Sequence, residues 1–350
     1  MATYKGIQGF SVQKLATDPD ASSSIGQLWY NSTTGKYKIS VSGTGSWATG
    51  GSLNTGRNQL GGTGTQTAAL AFFGAAPGFF PSGATKAVEE YDGTSWANET
   101  YGNSERYAGG RIGQTSTDAA YVGGYSAPPP PLQSGKTEKW NGSTWTETGD
   151  LQSGRQGFFG GAGTTTAGLV AGSGPANGAT EVFNGSSWTE VADLVTARQY
   201  APVTGAVETA AMCVGGYGIP ADSPYSAGPG SRVGLTEIWD GNSWTNVSGT
   251  LNLGRTEAAI SGTTSAAVIA GGVTGDPAPP TTPTATSETW DGTSWTTVGS
   301  MGSAMIAMGG SRSGGSSTAL VFGGGPPPAG STATEEFTNP VYAIKTVTTS

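Results

Sequence analysis

The chain has 350 residues, of which 11% are charged, with 60 Gly, 20 Pro, no His and a formal net charge of −8. The acidic balance and the scatter of its 16 Lys and Arg argue against a nucleic-acid partner, which needs clustered cations. The absence of His removes imidazole general bases, a Ser-His-Asp triad and imidazole metal sites, and the 10 Trp, 12 Tyr and 10 Phe, recurring in register, argue against disorder.

The N-terminus, "MATYKGIQGF", lacks an apolar core of signal-peptide length, and no run approaches the roughly 18 apolar residues of a membrane span. No membrane insertion is expected. Residues 1–46 read as an N-terminal attachment segment, either an ordered anchor or an extended arm wrapping a partner. Trp47 follows in "GTGSWATGG", with no strands of its own before it.

From there the chain repeats. Tryptophans anchor the turns "YDGTSW", "WNGSTW", "FNGSSW", "WDGNSW" and "WDGTSW" at Trp96, Trp145, Trp188, Trp244 and Trp295, separated by 49, 43, 56 and 51 residues, with Trp47 a further 49 upstream. Periods of about 40 to 50 residues with strand-like segments indicate propeller blades rather than helical repeats. Each repeat begins with a Gly-rich strand opening on Arg. An apolar strand follows, such as "AAYVGG" or "AAVIAGG", of the kind buried inside a sheet. Next comes an alternating strand, such as "TEKWNG", that places Glu and an aromatic on one face. Asp-Gly or Asn-Gly turns the chain, and the Trp covers the outer strands between neighbours. The single cysteine, Cys213 in "AAMCVGG", rules out an intramolecular disulfide and reads as a buried structural thiol.

Charges recur in the same register. Glu89, Glu138, Glu181, Glu237 and Glu288 stand seven residues before their Trp, and Arg57, Arg106, Arg155, Arg198 and Arg255 ten or eleven after theirs. In a chain this poor in charge, the recurrence suggests a structural ion pair repeated around a ring; the alternative is a ring of arginines binding an anion in a central channel. The last repeat ends at Phe337 without a Trp-bearing strand, and Met305 fills its Arg position. The strand around Trp47 is expected to complete it. The reading is therefore all-β: a six-bladed propeller of four-stranded antiparallel blades over 47–338, closed by the N-terminal strand around Trp47. Residues 339–350 form a C-terminal tail, whose "VYAIKTVTTS" can add a strand to a neighbour.

The "VGG", "AGG" and "FGG" doublets, the recurring Arg and the aromatic-Asp/Asn-Gly-x-x-Trp turn resemble kelch-type propellers, although the spacer before Trp is shorter than in the usual kelch pattern. The start, with "GQLWYNSTTGKYK", resembles the N-terminal region of virion-associated proteins of tailed marine bacteriophages, in which such a segment precedes kelch-like repeats. That resemblance implies a structural virion protein of the tail, a fibre or another appendage. Its implied partners are other virion proteins, engaged through residues 1–46, with multiple copies or a homo-oligomer on the particle.

No enzyme, cofactor or metal is expected. The copper chemistry of some kelch propellers needs His, and the Asp box of sialidases places Asp five residues before Trp, whereas Asp92, Asp240 and Asp291 precede it by four. A glycosidase needs two facing carboxylates, and the acids outside the register are scattered. Asn141 and Asn184 replace Asp in two turns, which a turn tolerates and a calcium site resists. Function is then expected in what does not repeat, the Pro-rich links from second to third strand. Their aromatics Phe79, Phe80, Tyr125, Tyr217 and Tyr225 are the candidate contacts for a partner protein, host glycan or receptor, with irregular capping loops as the alternative.

Overall fold

Short apolar runs bounded by paired glycine suit strands covered on both faces, and the second strand of every repeat is enclosed in this way. The computed structural model describes residues 12–21, 23–76, 83–126, 132–157, 160–173, 177–218, 231–275, 282–325, 330–339 and 341–348. Among these every regular element is a β-strand. The chain divides into two units, residues 46–338 and a smaller one made of residues 1–45 and 339–350.

Among the described residues the larger unit contains five four-stranded antiparallel sheets and a sixth array of four strands that belongs to a seven-stranded sheet, extended by Arg198–Gln199, Tyr217–Gly218 and Ser231–Arg232. Sheet I joins Gly61–Gly64, Ala69–Phe72, Val88–Tyr91 and Trp96–Asn98. Sheet II joins Gly110–Thr115, Asp118–Val122, Thr137–Trp140 and Trp145–Thr148. Sheet III joins Ala162–Gly163, Gly168–Ser173, Asn177–Phe183 and Trp188–Val191. Sheet IV is Val203–Val207, Ala210–Val214, Thr236–Trp239 and Trp244–Val247, and sheet V is Ala259–Gly262, Ala267–Ala270, Ser287–Trp290 and Trp295–Val298. Sheet VI takes three strands from the end of the unit, Gly309–Gly310, Thr318–Phe322 and Thr334–Thr338, and its fourth from the start, Ser46–Thr49. Phe337 pairs with Trp47 and Thr338 with Ser46, so the chain enters and leaves this unit at paired residues.

The first strands touch in the order I, II, III, IV, V, VI, and that of VI touches that of I. Glycines let them approach closely: a Cβ on Gly160 would lie 2.2 Å from the Val203 carbonyl oxygen.

The recurring Arg does not open the first strand, as the repeat pattern suggests. Arg106–Tyr107 forms a separate short strand that pairs with Tyr125–Ser126 in the following link, and Gly110–Thr115 starts later. The Asp-Gly and Asn-Gly turns do join third and fourth strands. The Tyr91 and Trp96 rings at the ends of one turn lie 4.9 Å apart, and the corresponding Phe337 and Trp47 rings of sheet VI, from opposite ends of the unit, 5.1 Å.

Each turn Trp also reaches the sheet before its own. The indole N–H of Trp188 donates to Thr137 Oγ1 at 2.9 Å, Trp244 to Thr180 at 2.9 Å, Trp295 to Thr236 at 2.9 Å, Trp96 to Thr334 at 3.0 Å and Trp47 to Ser287 Oγ at 3.0 Å. At the sixth junction Val88 stands in the hydroxyl position, and the buried Trp145 N–H finds no acceptor.

In the smaller unit, "GQLWYNSTTGKYK" forms a hairpin of Leu28–Asn31 and Lys36–Gly43. Trp29 Nε1 and Asn31 Nδ2 both donate to Asp18 Oδ1, at 2.9 and 2.6 Å. The C-terminal strand Val341–Thr346 pairs with Lys36–Gly43. The tail thus adds its strand to the chain's own N-terminal segment rather than to a neighbour.

The unequal sixth junction yields a paired prediction. Thr137→Val should destabilise the protein by about 1–3 kcal/mol by orphaning the Trp188 N–H, while Val88→Thr should be neutral or add up to about 1 kcal/mol by supplying Trp145 with an acceptor. Denaturant midpoints of the two variants check this.

Candidate functional site

The links from second to third strand and those from each sheet to the next meet at one end of the larger unit, through the bridges Asn58 to Ala75, Thr85 to Arg106 and Thr256 to Val273. What holds this end is buried charge. Arg57 pairs with Glu89 at 2.8 Å, Arg106 with Glu138 at 2.8 Å, Arg155 with Glu181 at 2.6 Å, Arg198 with Glu237 at 2.9 Å and Arg255 with Glu288 at 2.6 Å. All ten groups are buried. Nη1 of Arg106 also donates to the carbonyls of Gly123 and Lys136, and the second oxygen of Glu138 accepts the Asn103 N–H. The Arg106 backbone carbonyl accepts from Gly74 of the preceding sheet, so one residue ties two neighbours.

Each of these arginines is neutralised by a buried Glu through Nη2 and donates Nη1 to carbonyls, the structural ion pair rather than the alternative of an arginine ring open to an anion. In sheet VI, Glu335 keeps the backbone half of the motif, accepting from Gly302 and Ser303 at 2.6 and 3.1 Å, while Met305 takes the Arg place without charge.

Two residues past each Arg, and past Met305, lies a member of a backbone hydrogen-bond cycle. Ala108 donates to Gln59, Gly157 to Ala108, Tyr200 to Gly157, Glu257 to Tyr200, Ala307 to Glu257 and Gln59 to Ala307, over 2.6–3.1 Å. Every member has a left-handed φ, from 52° at Gln59 to 79° at Gly157. Glu257 is partly exposed here. Burial pushes its carboxyl up to about 7, with the Arg232 guanidinium acting the other way. Burial likewise raises the Tyr200 phenol, and Glu257, Tyr125 and Tyr107 add to the effect. A carboxyl and three phenols therefore share this end.

Of the aromatics expected in the links, Tyr125 and Tyr217 are half-buried rather than displayed. Tyr125 lies 5.4 Å from the Tyr107 ring and pairs with Tyr107 and Gln133. Tyr217 pairs with Gln199 and Arg232 in a short ladder. Both build the base of their links, because two-residue strands there satisfy backbone groups that a free loop would leave to water. Phe79, Phe80 and Tyr225 lie outside the described residues.

At the turn end, Asp92 Oδ1 accepts the N–H groups of Thr94 and Ser95, both at 2.8 Å, and Asn141 does the same with Ser143 and Thr144. The shared geometry explains why either residue serves. The Ser95 and Thr94 bonds hold the Asp92 carboxyl down at about 2. Cys213 is buried in the second strand of sheet IV, and burial pushes its thiol up to about 11, which leaves it unreactive near neutrality. Among the described residues no cluster of three or more His, Cys, Asp or Glu is placed to hold a metal ion, and no helix is long and apolar enough to cross a membrane. An open cleft of about 390 Å³ between sheets II and III is lined by Asp118, Lys139, Asn141, Glu147 and Thr165. The Trp140 ring beside it is buried and presents no stacking face.

Sequence reasoning passed over Arg111, Arg312, Glu257 and Tyr200. Their signal was negative: their residue types do not recur at the equivalent repeat positions, and a search for recurrence discards them.

The four-stranded antiparallel arrays and their succession define an all-β, propeller-like fold. A solved structure titled "Structure of YjhT", of a propeller-type protein, is similar to this chain with a TM-score of 0.65, covering 84% of this chain and 99% of that one at 11% identity. At that identity the likeness concerns fold alone. No protein-family model and no curated protein matches the chain.

Arg198→Met should cost about 3–5 kcal/mol, because it leaves Glu237 buried and unpaired, and adding Glu237→Gln should recover part of the loss. Denaturant unfolding of the single and double variants measures both. Glu257 has a folded-state pKa raised from 4.5 to about 7, so its contribution is complete below pH 4.5 and lost as the pH rises through 7. Thermal melts from pH 4 to 8 should show this decline in the wild type and a flatter profile in Glu257→Gln.

Proposed function

We propose that residues 46–338 form a closed six-bladed propeller that serves a virion as a non-enzymatic interaction scaffold, with the strand unit containing residues 1–45 attaching it to other virion proteins. The observation that carries the scaffold reading is the fate of the recurring polar groups. Five Arg–Glu pairs, the turn carboxylates and the Trp N–H groups are almost all consumed in holding the sheets to one another. The links between second and third strands are what remains to differ, and they are held on a rigid frame at one end, the usual arrangement for recognition by loops. Ring closure is supported by the hydrogen-bond cycle, the contact between the first strands of sheets VI and I, and the pairing of Trp47 with Phe337. The virion assignment rests on the resemblance of "GQLWYNSTTGKYK" and its surroundings to phage proteins.

A second reading, a carbohydrate- or receptor-binding adhesin, is favoured by Glu257 and the phenols of Tyr107, Tyr125 and Tyr200 at the link end, since carboxyls and aromatic rings are the usual partners of sugar hydroxyls and faces.

Mass spectrometry and labelled electron microscopy of purified particles should find the protein in fixed copy number; its absence would overturn the virion reading. Glycan arrays probed with the wild type, Tyr125→Ala and Tyr217→Ala separate the two readings. Saturable binding weakened at least tenfold by either substitution supports an adhesin, and no binding supports the scaffold alone.

A further inference from the structure

Two arginines within the circle of first strands stand outside the repeat register. Arg111 is the second residue of Gly110–Thr115, at a position that sheets I, III and VI fill with Gly62, Gly161 and Gly310. Arg312 lies two residues past Gly310, where sheets I to V have Gly. Both are 1% exposed. Nη1 of Arg312 donates to the Val203 carbonyl at 2.9 Å and Nη2 to that of Gly161, so the side chain runs from sheet VI to the inner strands of sheets III and IV. Arg111 has no such outlet. Its Nε, Nη1 and Nη2 are all buried without an acceptor, and the Nε of Arg312 is in the same condition.

Among the described residues no carboxylate offsets these charges. The charge–charge influences on them are the Tyr121 phenol for Arg111 and Arg111 itself for Arg312, whose guanidinium burial and its neighbour together push down to about 9. Arg111 falls to about 10 by burial, so both remain cationic at neutral pH. An isolated buried ion costs several kcal/mol, and a second like charge adds to that cost. Guanidinium groups with free N–H donors bind anions through several charge-assisted hydrogen bonds at once. The space is partly filled by Arg312 itself, whose guanidinium reaches from sheet VI to the carbonyls of Gly161 and Val203 on the far side.

We infer that Arg111 and Arg312 hold a small inorganic anion of the halide type inside the circle of first strands. With the Arg312 side chain already spanning the circle, a monatomic anion fits better than a sugar acid or a phosphate ester, and it accepts from N–H groups in any direction. The site is independent of the virion reading. It makes anion binding part of folding, because an anion held only by the folded chain stabilises it by mass action.

The test is thermal unfolding of the full chain at constant ionic strength, with bromide replacing gluconate, together with anomalous diffraction from crystals grown in bromide. The wild-type midpoint should rise with the logarithm of bromide concentration, and an anomalous peak should lie between the two guanidinium groups. Arg111→Gly, which installs the residue of three equivalent positions, should fold, lose the bromide dependence and melt higher than the wild type in gluconate. Arg111→Met gives the same readout should the glycine variant not fold. A bromide response equal in wild type and variants, no response in the wild type, or a site holding only water would overturn the assignment.

Discussion

The larger unit depends on a cycle of six backbone hydrogen bonds in which every donor belongs to one inter-sheet link and every acceptor to another. Such a cycle has no free end, and it requires each participating residue to sit at the same place with the same inward-turned backbone. The left-handed φ values meet that demand. Five of the six are carried by residues other than glycine, at a cost of about 1–2 kcal/mol each. Beside five of the six, an Arg is locked by its Glu and by carbonyls such as those of Gly123 and Lys136, which flank the second and third strands of sheet II, and this leaves the link little choice of path.

Seen from the cycle, the buried ion pairs act as spacers. A pair of hydrophobic residues could bury as much surface, and on energetic grounds a buried Arg–Glu pair gains little over it. A guanidinium, however, reaches two carbonyls and a carboxylate together, and the carboxylate reaches back to the N–H groups of the entering link. This satisfies backbone groups that a turn between two packed sheets would otherwise bury unpaired. Sheet VI shows which half is indispensable, since Met305 dispenses with the guanidinium while Glu335 keeps its two backbone donors.

Much of this was legible in the sequence because repetition amplifies weak signals. One "DGTSW" is an ordinary turn; five copies in step with Arg, Glu and Gly-Gly identify strands, their order and the partner of the Trp47 strand. The candidate site was less legible. Tyr125 and Tyr217 were read as displayed because their links are rich in Pro and Gly, but short ladders at the link bases draw their backbones into the sheet edge and half-bury the rings. Arg111, Arg312 and Glu257 went unread because nothing about an isolated charge tells which way it points.

The sequence by itself determined the main strands of each repeat and the register in which Arg and Glu recur, since each follows from local alternation or from a recurring interval, and both are one-dimensional properties. Only the tertiary structure decided where the C-terminal strand pairs, that the Trp145 N–H lacks an acceptor, and that the Arg111 guanidinium is buried without an acceptor while Arg312 reaches two other sheets. Those outcomes turn on distances between residues tens to hundreds of positions apart, such as Val203 and Arg312, which no local pattern encodes.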